Sequence, residues 1–169
     1  MAKKKKDRLI AALVLSLAAS IFLGIFLFIR ATEEPQYKVY FLKGDRLRTV
    51  KRTLKPDENP LKASALALLR GPKTEEKKAG YFTAIPKKTR LLGIRKAGDV
   101  ALVSFSPELE RYGGGGMRVQ KMVAQIVYTL TAHPGIDKVH IKIGNRTEVM
   151  LGGEGFVIDK PLTRAEVLP

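Results

Sequence analysis

Residues 9–29 form an uninterrupted run of apolar and small side chains without a charged residue. A helix over this run would be about 31 Å long, close to the roughly 30 Å hydrocarbon core of a bilayer. The run has no polar face, whereas a surface helix of a soluble domain would show one. The pattern therefore predicts a transmembrane helix.

The flanking charges predict the orientation of this helix. Five cations lie among residues 3–8, and Arg30 is the single cation between the run and Glu33. By the positive-inside rule, the N-terminus is cytoplasmic and the remainder lies outside. The predicted organisation is a basic cytoplasmic tail at 1–8, a transmembrane anchor at 9–29, a linker at 30–36 and an extracytoplasmic domain at 37–169.

A cleaved signal peptide is the alternative interpretation of the same run. Its apolar stretch is about 7–15 residues long and ends at a small-x-small cleavage site. The run here is longer, and residues 28–32 lack two small residues in that register. We therefore expect an uncleaved signal anchor and a single-pass protein of the cell membrane.

The first half of the outer segment predicts a hairpin and a helix. Aromatic and β-branched residues at 36–42 and the stretch 47–54 are typical of two strands joined by a tight turn. Asn59 is a suitable N-cap for a helix that starts with Pro60 and ends at Gly71. In the second strand two arginines share a face with apolar residues, so either one of them extends its charged end to solvent or the strand lies at a sheet edge.

The second half predicts four strands and the longest helix. A strand at 89–96 precedes a nearly continuous apolar strand at 100–105, which suits the centre of a sheet. Alternation at 138–143, a Gly-Asn turn and the strand 147–151 indicate a second hairpin. The helix between them carries an apolar stripe with helical spacing at Val119, Met122, Val123, Ile126, Val127 and Leu130.

The order of these elements predicts an α+β fold. Strand pairs would form a mixed or antiparallel sheet with two helices packed on one face, preceded by one transmembrane helix. The charged segment 73–78 is expected to be exposed.

The charge of the chain favours an acidic partner or a well-solvated surface. The formal net charge is +15, and about +10 remains on residues 31–169 when the six cations and one acid of residues 1–30 are removed. These cations are scattered singly, as on a surface that aids solubility. Specific binding of an anionic polymer is the alternative.

Residues suited to catalysis are few. The chain has no cysteine and two histidines, and neither histidine belongs to a metal-binding spacing. His133 would be a favourable cation in the last helical turn, and His140 would point outward from a strand. Glu108 and Glu110 flank one leucine beside a helix start, where they suit the helix dipole. We therefore expect no enzymatic activity, no metal and no cofactor.

Two further binding chemistries receive little support. Four glycines at 113–116 followed by Arg118 could present free amides to an anion, but without Gly-Lys-Ser/Thr a connecting loop is favoured. Nucleic-acid motifs are absent, and Tyr37 and Phe41 fall on a face expected to be buried, where they cannot stack on bases.

Five segments in order carry a family resemblance. They are Ala67-Leu68-Leu69-Arg70-Gly71-Pro72, Ile85-Pro86-Lys87-Lys88-Thr89, Val103-Ser104-Phe105-Ser106, Gln125-Ile126-Val127-Tyr128-Thr129-Leu130-Thr131 and Pro161-Leu162-Thr163-Arg164. With these segments, the chain from about Tyr37 to Arg164 resembles the GerMN domain, a family named for spore germination and sporulation.

The resemblance implies a compact extracytoplasmic domain of mixed sheet and two helices, attached to a membrane and without known catalytic activity. The family often has an acidic residue where Ser104 stands, so this chain departs from the pattern there. The motif positions, which we interpret as structural, are Leu68, Leu69, Gly71, Pro72, Ile85, Pro86, Phe105, Ser106, Gln125, Val127, Tyr128, Thr129, Leu130, Pro161 and Arg164.

We expect the domain to act by protein association in a sporulation, germination or other cell-envelope assembly, with an envelope protein or a second copy as partner. Strands 36–42 and 147–151, at sheet edges, would offer backbone groups for pairing. The alternative is a binding module for peptidoglycan or an anionic wall polymer.

Overall fold

The structure, a computed structural model, describes residues 13–26, 34–113, 115–151 and 156–167. The predicted tail 1–8, both ends of the predicted anchor and residues 30–33 of the linker lie outside the described residues. Gly114 also lies outside them.

The chain divides into two compact units, Met1–Pro35 and Gln36–Pro169. In the first unit residues 13–26 are helical and fall within the predicted anchor. Within the described ranges, the structure contains no helix with the length and apolar character that a membrane crossing requires. The anchor at 9–29 therefore stays a prediction.

The second unit is an α+β domain whose described residues form eight strands, three α-helices and two short 3₁₀ helices. The strands are β1 (Gln36–Lys43), β2 (Arg46–Thr53), β3 (Tyr81–Phe82), β4 (Leu91–Ala97), β5 (Val100–Phe105), β6 (Lys138–Ile143), β7 (Val149–Leu151) and β8 (Phe156–Ile158). The helices are α1 (Pro60–Arg70), α2 (Thr74–Lys78) and α3 (Gly116–Leu130), and the 3₁₀ helices are Pro107–Glu110 and Arg164–Glu166.

The strands form three sheets, with the orders β2-β1-β3, β4-β5-β6 and β7-β8. The predicted first hairpin is confirmed, because β1 and β2 pair antiparallel over their whole length around a turn at Gly44. As predicted, β5 lies in the centre of its sheet, and β2 lies at an edge, which was one of the two alternatives for it. The mixed sheet arises because β5 pairs antiparallel with β4 and parallel with β6.

Two predictions about strand pairing hold only in small part. The second hairpin is limited to one antiparallel bridge between Ile143 and Arg146 across the Gly144–Asn145 turn, since β6 pairs with β5 and β7 pairs antiparallel with β8. A parallel pair needs a long crossover, and α3 supplies one between β5 and β6. Strand 36–42 is an edge only in part, because β1 lies between β2 and β3 but β3 pairs with Leu42 and Lys43 alone.

Local signals set both long helices as predicted. Asn59 Oδ1 accepts the Lys62 N–H at 3.0 Å, which caps α1. Gly71 ends the helix with φ 78° and ψ −176°, a backbone region that is essentially restricted to glycine. On α3 all six residues of the predicted apolar stripe are fully buried.

The core lies where α1 and α3 pack on each other and on the sheets. Both helices contact β1, while α1 also contacts β4 and α3 also contacts β6. The largest buried side chains include Phe41, Phe105, Leu68, Met122 and Ile141. The same core includes Val149, Leu151 and Ile158, so it joins strands from all three sheets.

Candidate functional site

The α3 motif residues Gln125 and Thr129 hold the open edge of β1. Because β3 pairs only with Leu42 and Lys43, the earlier part of that edge has no strand partner among the residues that the structure describes. Thr129 Oγ1 accepts the Tyr40 N–H at 3.1 Å, and Gln125 Nε2 donates to the Tyr40 carbonyl at 3.2 Å. Both side chains are fully buried. Their four-residue spacing puts them on one face of α3, where they take the place of a neighbouring strand.

Gln125 also ties β1 to the segment that follows β3. Its Oε1 accepts the Ala84 N–H at 2.8 Å and the Thr83 hydroxyl at 3.3 Å. The amide oxygen of Gln125 thus accepts hydrogen bonds while its nitrogen donates one. An ionised glutamate has no nitrogen donor and could not make the bond to the Tyr40 carbonyl.

Arg164 closes the same region from the C-terminal side. Its Nε donates to Thr131 Oγ1 at 2.6 Å and its Nη2 to the Tyr128 carbonyl at 3.1 Å. The guanidinium carbon lies 4.9 Å from the ring centroid of Tyr128 and 5.6 Å from that of Tyr40. These two rings contact edge to face at 5.6 Å. The last motif is therefore a clamp on α3 and β1.

The other motif residues build the core and the turn regions. Fully buried positions are Leu68, Phe105, Val127 and Leu130, while Ile85 and Pro72 are also buried and Leu69, Pro86 and Pro161 are half-buried. The buried Ser106 exchanges two hydrogen bonds with the backbone of Arg90: its Oγ accepts the Arg90 N–H and its N–H donates to the Arg90 carbonyl, both at 2.9 Å. The motif position Ser106 thereby sets the course of the chain into β4.

Motif residues also line an open groove of about 940 Å³, here called the α1 groove. It runs between the end of α1 and the chain from Thr83 to Leu91, and the motif residues in its wall are Leu69, Gly71, Pro72 and Ile85. Four cations line it, namely Arg70, Lys77, Lys87 and Arg90, together with one acid, Glu58.

Thr89 gives the α1 groove a buried polar atom. Its side chain is 6% exposed and lines the groove, and within the described part of the chain its Oγ1 has no hydrogen-bond partner. A buried hydroxyl without a partner costs about 1–3 kcal/mol, so such groups are uncommon in folded domains.

An ion pair that sequence patterns did not indicate fixes α2 beside β2. Arg52 Nη1 and Nη2 donate to the two carboxylate oxygens of Glu76, each at 2.6 Å, and Glu76 Oε2 also accepts the Lys73 N–H at 2.7 Å. The hydrogen bond from Arg52 lowers the pKa of Glu76 most. Glu76 lies in a segment that we expected to be simply exposed, and 24 residues separate it from its partner.

The four residues considered for catalysis have separate partners. Glu108 Oε2 lies 3.9 Å from Arg90 Nη2, and Glu110 pairs with Arg146 at 2.6 Å. His140 Nε2 lies 3.3 Å from the Thr147 carbonyl. In the ranges that the structure covers, no cluster of three or more histidine or acidic side chains could hold a metal ion.

The expected role of His133 as a helix-end cation is wrong. The residue lies beyond the end of α3, and its Nε2 contacts Ser64 Oγ at 2.8 Å. Burial lowers the pKa of His133, because the charged imidazolium loses hydration there. The neutral ring is therefore favoured over the imidazolium to a lower pH than in an exposed histidine.

Ser104 and Arg118 have structural contacts. Ser104 Oγ donates to the Gly144 carbonyl at 2.7 Å, a bond that an ionised carboxylate at this position could not donate. Arg118 Nη1 donates to the Gly113 carbonyl at 2.6 Å and so ties the glycine loop to the first turn of α3.

Solved structures with the same fold come from two bacteria. The chain matches the tandem GerMN domains of the sporulation protein GerM from Bacillus subtilis with a TM-score of 0.64 and 19% identity, over 79% of this chain and 46% of that one. It matches the first GerMN domain of the same protein with a TM-score of 0.64 and 24% identity, over 78% and 98%. A putative lipoprotein from Clostridium perfringens matches with a TM-score of 0.57 and 24% identity, over 79% and 90%.

These likenesses show the fold, and this chain spans less than half of the tandem-domain protein. No curated protein sequence matches the chain. The family model described as sporulation and spore germination matches residues 38–149. Since this match covers most of the folded unit and more than half of the sequence, the chain belongs to the Germane family of sporulation and spore germination domains.

Proposed function

We propose that the chain is a membrane-anchored, extracytoplasmic GerMN domain that binds other proteins in a sporulation, germination or related envelope assembly. The family match over residues 38–149 carries this proposal. It is supported by the names of the similar structures, one a sporulation protein and one a putative lipoprotein. The side chains of Gln125, Thr129, Ser106 and Arg164 bond backbone groups of the same domain, which is consistent with a structural role for these motif residues. We propose no catalytic step and no cofactor.

The anchoring part of the proposal rests on the apolar run. Within it, the helical residues 13–26 expose large apolar side chains, and Leu15 and Phe22 are both 76% exposed. Such a surface is favourable in lipid and costly in water.

Single cysteines test the orientation, because the chain has none of its own. We expect Lys62→Cys, at an exposed position of α1, to react with an impermeant maleimide on intact cells. We expect Lys4→Cys to react only after lysis. Labelling of Lys4→Cys on intact cells, with Lys62→Cys protected, would overturn the orientation.

Protein association can be tested by site-specific photocrosslinking in intact cells. Phe82 and Met117 are 46% and 69% exposed and line a small apolar cavity of about 480 Å³, so a crosslinker at either position samples an apolar surface. We expect both positions to capture the same envelope protein, or a second copy of the chain. Lys62, which is exposed and does not line this cavity, serves as the comparison position. If neither Phe82 nor Met117 gives a product above that at Lys62, the association proposal loses its support.

A second candidate function is binding of an anionic wall polymer, favoured by the four cations of the α1 groove and the charge of about +10 on residues 31–169. Sedimentation of the full chain with purified cell wall at increasing salt tests it. Binding that weakens as salt rises is expected, because salt screens exposed charges. No sedimentation at low salt would refute this second function.

A further inference from the structure

The α1 groove carries an excess of uncompensated positive charge. Of its thirteen lining residues four are cationic and one is acidic. Within the described residues the ammonium groups of Lys77 and Lys87 have neither a hydrogen bond nor an ion pair. The guanidinium of Arg70 donates to the Leu66 carbonyl of its own helix, so its charge is not neutralised. A groove with this charge favours an anionic ligand.

The wall of the groove between these cations is apolar. Leu66, Leu69, Pro72, Ile85 and Leu91 contribute to it. Ligand sites commonly combine apolar walls with a few polar groups that fix orientation. A saccharide or polyol chain suits such a wall, because its C–H groups can contact apolar side chains while its charged groups reach the cations.

A second cavity extends the basic surface along the end of α1. It has a volume of about 310 Å³, shares Arg70, Gly71 and Glu58 with the α1 groove, and adds Lys55 and Lys73 among its lining residues. The two cavities share Arg70 in their walls, so the cations of both lie around the end of α1 and border one longer basic surface. This arrangement suits a linear ligand with a charge on each repeat.

The Thr89 hydroxyl is an independent sign of a ligand at this place. Thr89 lines the groove with a side chain that is more than nine-tenths buried; its Oγ1 is almost fully covered, and no group in the described ranges bonds it. A hydroxyl can both donate and accept a hydrogen bond, so a rotation of this side chain toward the groove would let it pair with a ligand hydroxyl or phosphate oxygen.

We propose that the α1 groove binds a linear phosphodiester-linked wall polymer, an inference that rests on polymer binding as the second proposed function. Arg70, whose Nε alone is bonded within the described part of the chain, can present the parallel N–H donors of its two Nη groups to the anionic oxygens of a phosphodiester, while Arg90 lies 3.9 Å from Glu108 and adds a partly compensated charge. The lysines add point charges for neighbouring repeats. The apolar wall contacts the polyol or sugar units between them.

The experiment measures binding of fluorescently labelled poly(glycerol phosphate) to the full chain in non-ionic detergent, by anisotropy at two ionic strengths. The test variant is Lys77→Gln/Lys87→Gln, which removes two unpaired charges and no internal contact. The matched control is Lys38→Gln/Lys51→Gln, a directly opposed exposed pair on β1 and β2 with the same charge change. Neither control residue lines the groove.

We expect the test variant to bind about tenfold more weakly, as for two exposed ion pairs, and the control to stay within about twofold of the original chain. Thr89→Val keeps the side-chain shape, and we expect it to lose about threefold in affinity with its thermal unfolding unimpaired. Affinity should fall with added salt.

Three outcomes would overturn parts of this proposal. Equal losses in the two double variants would refute the groove as the site while polymer binding stands. No binding by the original chain would refute both the site and the second function. Tighter binding of polyglutamate, tested alongside neutral dextran, would replace the phosphate polymer with an acidic peptide as ligand.

Discussion

Replacing Gln125 with leucine tests whether α3 side chains take the place of a strand beside β1. The change keeps the side chain close in size but removes the bonds to the Ala84 N–H and the Tyr40 carbonyl. Ala84 is buried and Tyr40 is half-buried, so water cannot fully replace the lost partners.

The expected loss follows from the cost of unpaired buried groups. Each such backbone group costs about 1–3 kcal/mol. The Thr83 hydroxyl can rotate toward another partner, and the apolar leucine regains about 1 kcal/mol from burial. We therefore expect Gln125→Leu to lower the free energy of unfolding by about 2–4 kcal/mol, a large share of the total for a domain of this size.

Urea unfolding of the full chain in mild detergent measures this loss. Tyrosine fluorescence is a suitable signal, because all five tyrosines lie beyond residue 36 and the chain has no tryptophan. Gln120→Leu is the matched control, since Gln120 lies on the exposed side of the same helix and should change the stability by less than about 0.5 kcal/mol. A loss for Gln125→Leu within about 1 kcal/mol of this control would refute the strand-replacement reasoning.

Three further predictions concern a helix end and two titrating groups. Gly71→Ala should cost about 1–3 kcal/mol in urea unfolding, because alanine does not adopt this backbone region readily; its added Cβ would lie an ordinary 3.6 Å from Thr83 Cγ2. Because burial lowers the pKa of His133 below its ordinary 6.5, the neutral ring's contribution to stability is complete above pH 6.5 and is lost as the pH falls below it, so His133→Asn should flatten the stability profile there. The Thr163 N–H, with help from Lys160, lowers the pKa of Glu166 from 4.5 to about 2, so its contribution is present above pH 4.5 and is lost as the pH falls toward 2. Glu166→Gln should remove that part of the acid dependence.

Each of these variants has a comparison that isolates its cause. Gly93→Ala adds a Cβ with nothing within 4 Å at an ordinary backbone angle, so it should cost far less than Gly71→Ala. An equal cost at both positions would contradict the backbone argument. For the two titrating groups, unchanged pH profiles in His133→Asn and Glu166→Gln would show that other residues set the acid response.

Local chemistry made much of the fold predictable. The caps at Asn59 and Gly71 fix α1 without help from distant residues, and the apolar stripe of α3 needs only helical spacing. The hairpin of β1 and β2 was also predictable, because a short turn leaves the second strand little choice of partner. Each of these signals lies within a few residues of the element that it sets.

Pairings between distant segments were not predictable in the same way. The alternation of β6 shows a half-buried strand but carries no information about its neighbour, so the adjacent β7 was the natural and wrong choice. α2 has five residues and no buried apolar side chain, which leaves no periodicity to detect. The family resemblance identified Gln125 as a motif residue, but its bond to Tyr40 spans 85 positions. The cations of the α1 groove come from separate segments and meet only in the folded chain.

The side-chain cover on the open edge of β1 has a consequence for how this domain meets other chains. Unpaired backbone groups along an open strand edge can pair with an extended segment of another chain, which leads to swapped dimers or fibrils. In this domain such a segment would first have to displace α3 from β1 and break the hydrogen bonds of Arg164 to Thr131 and Tyr128. The domain can therefore be crowded beside many copies of itself while each copy keeps its own central strand.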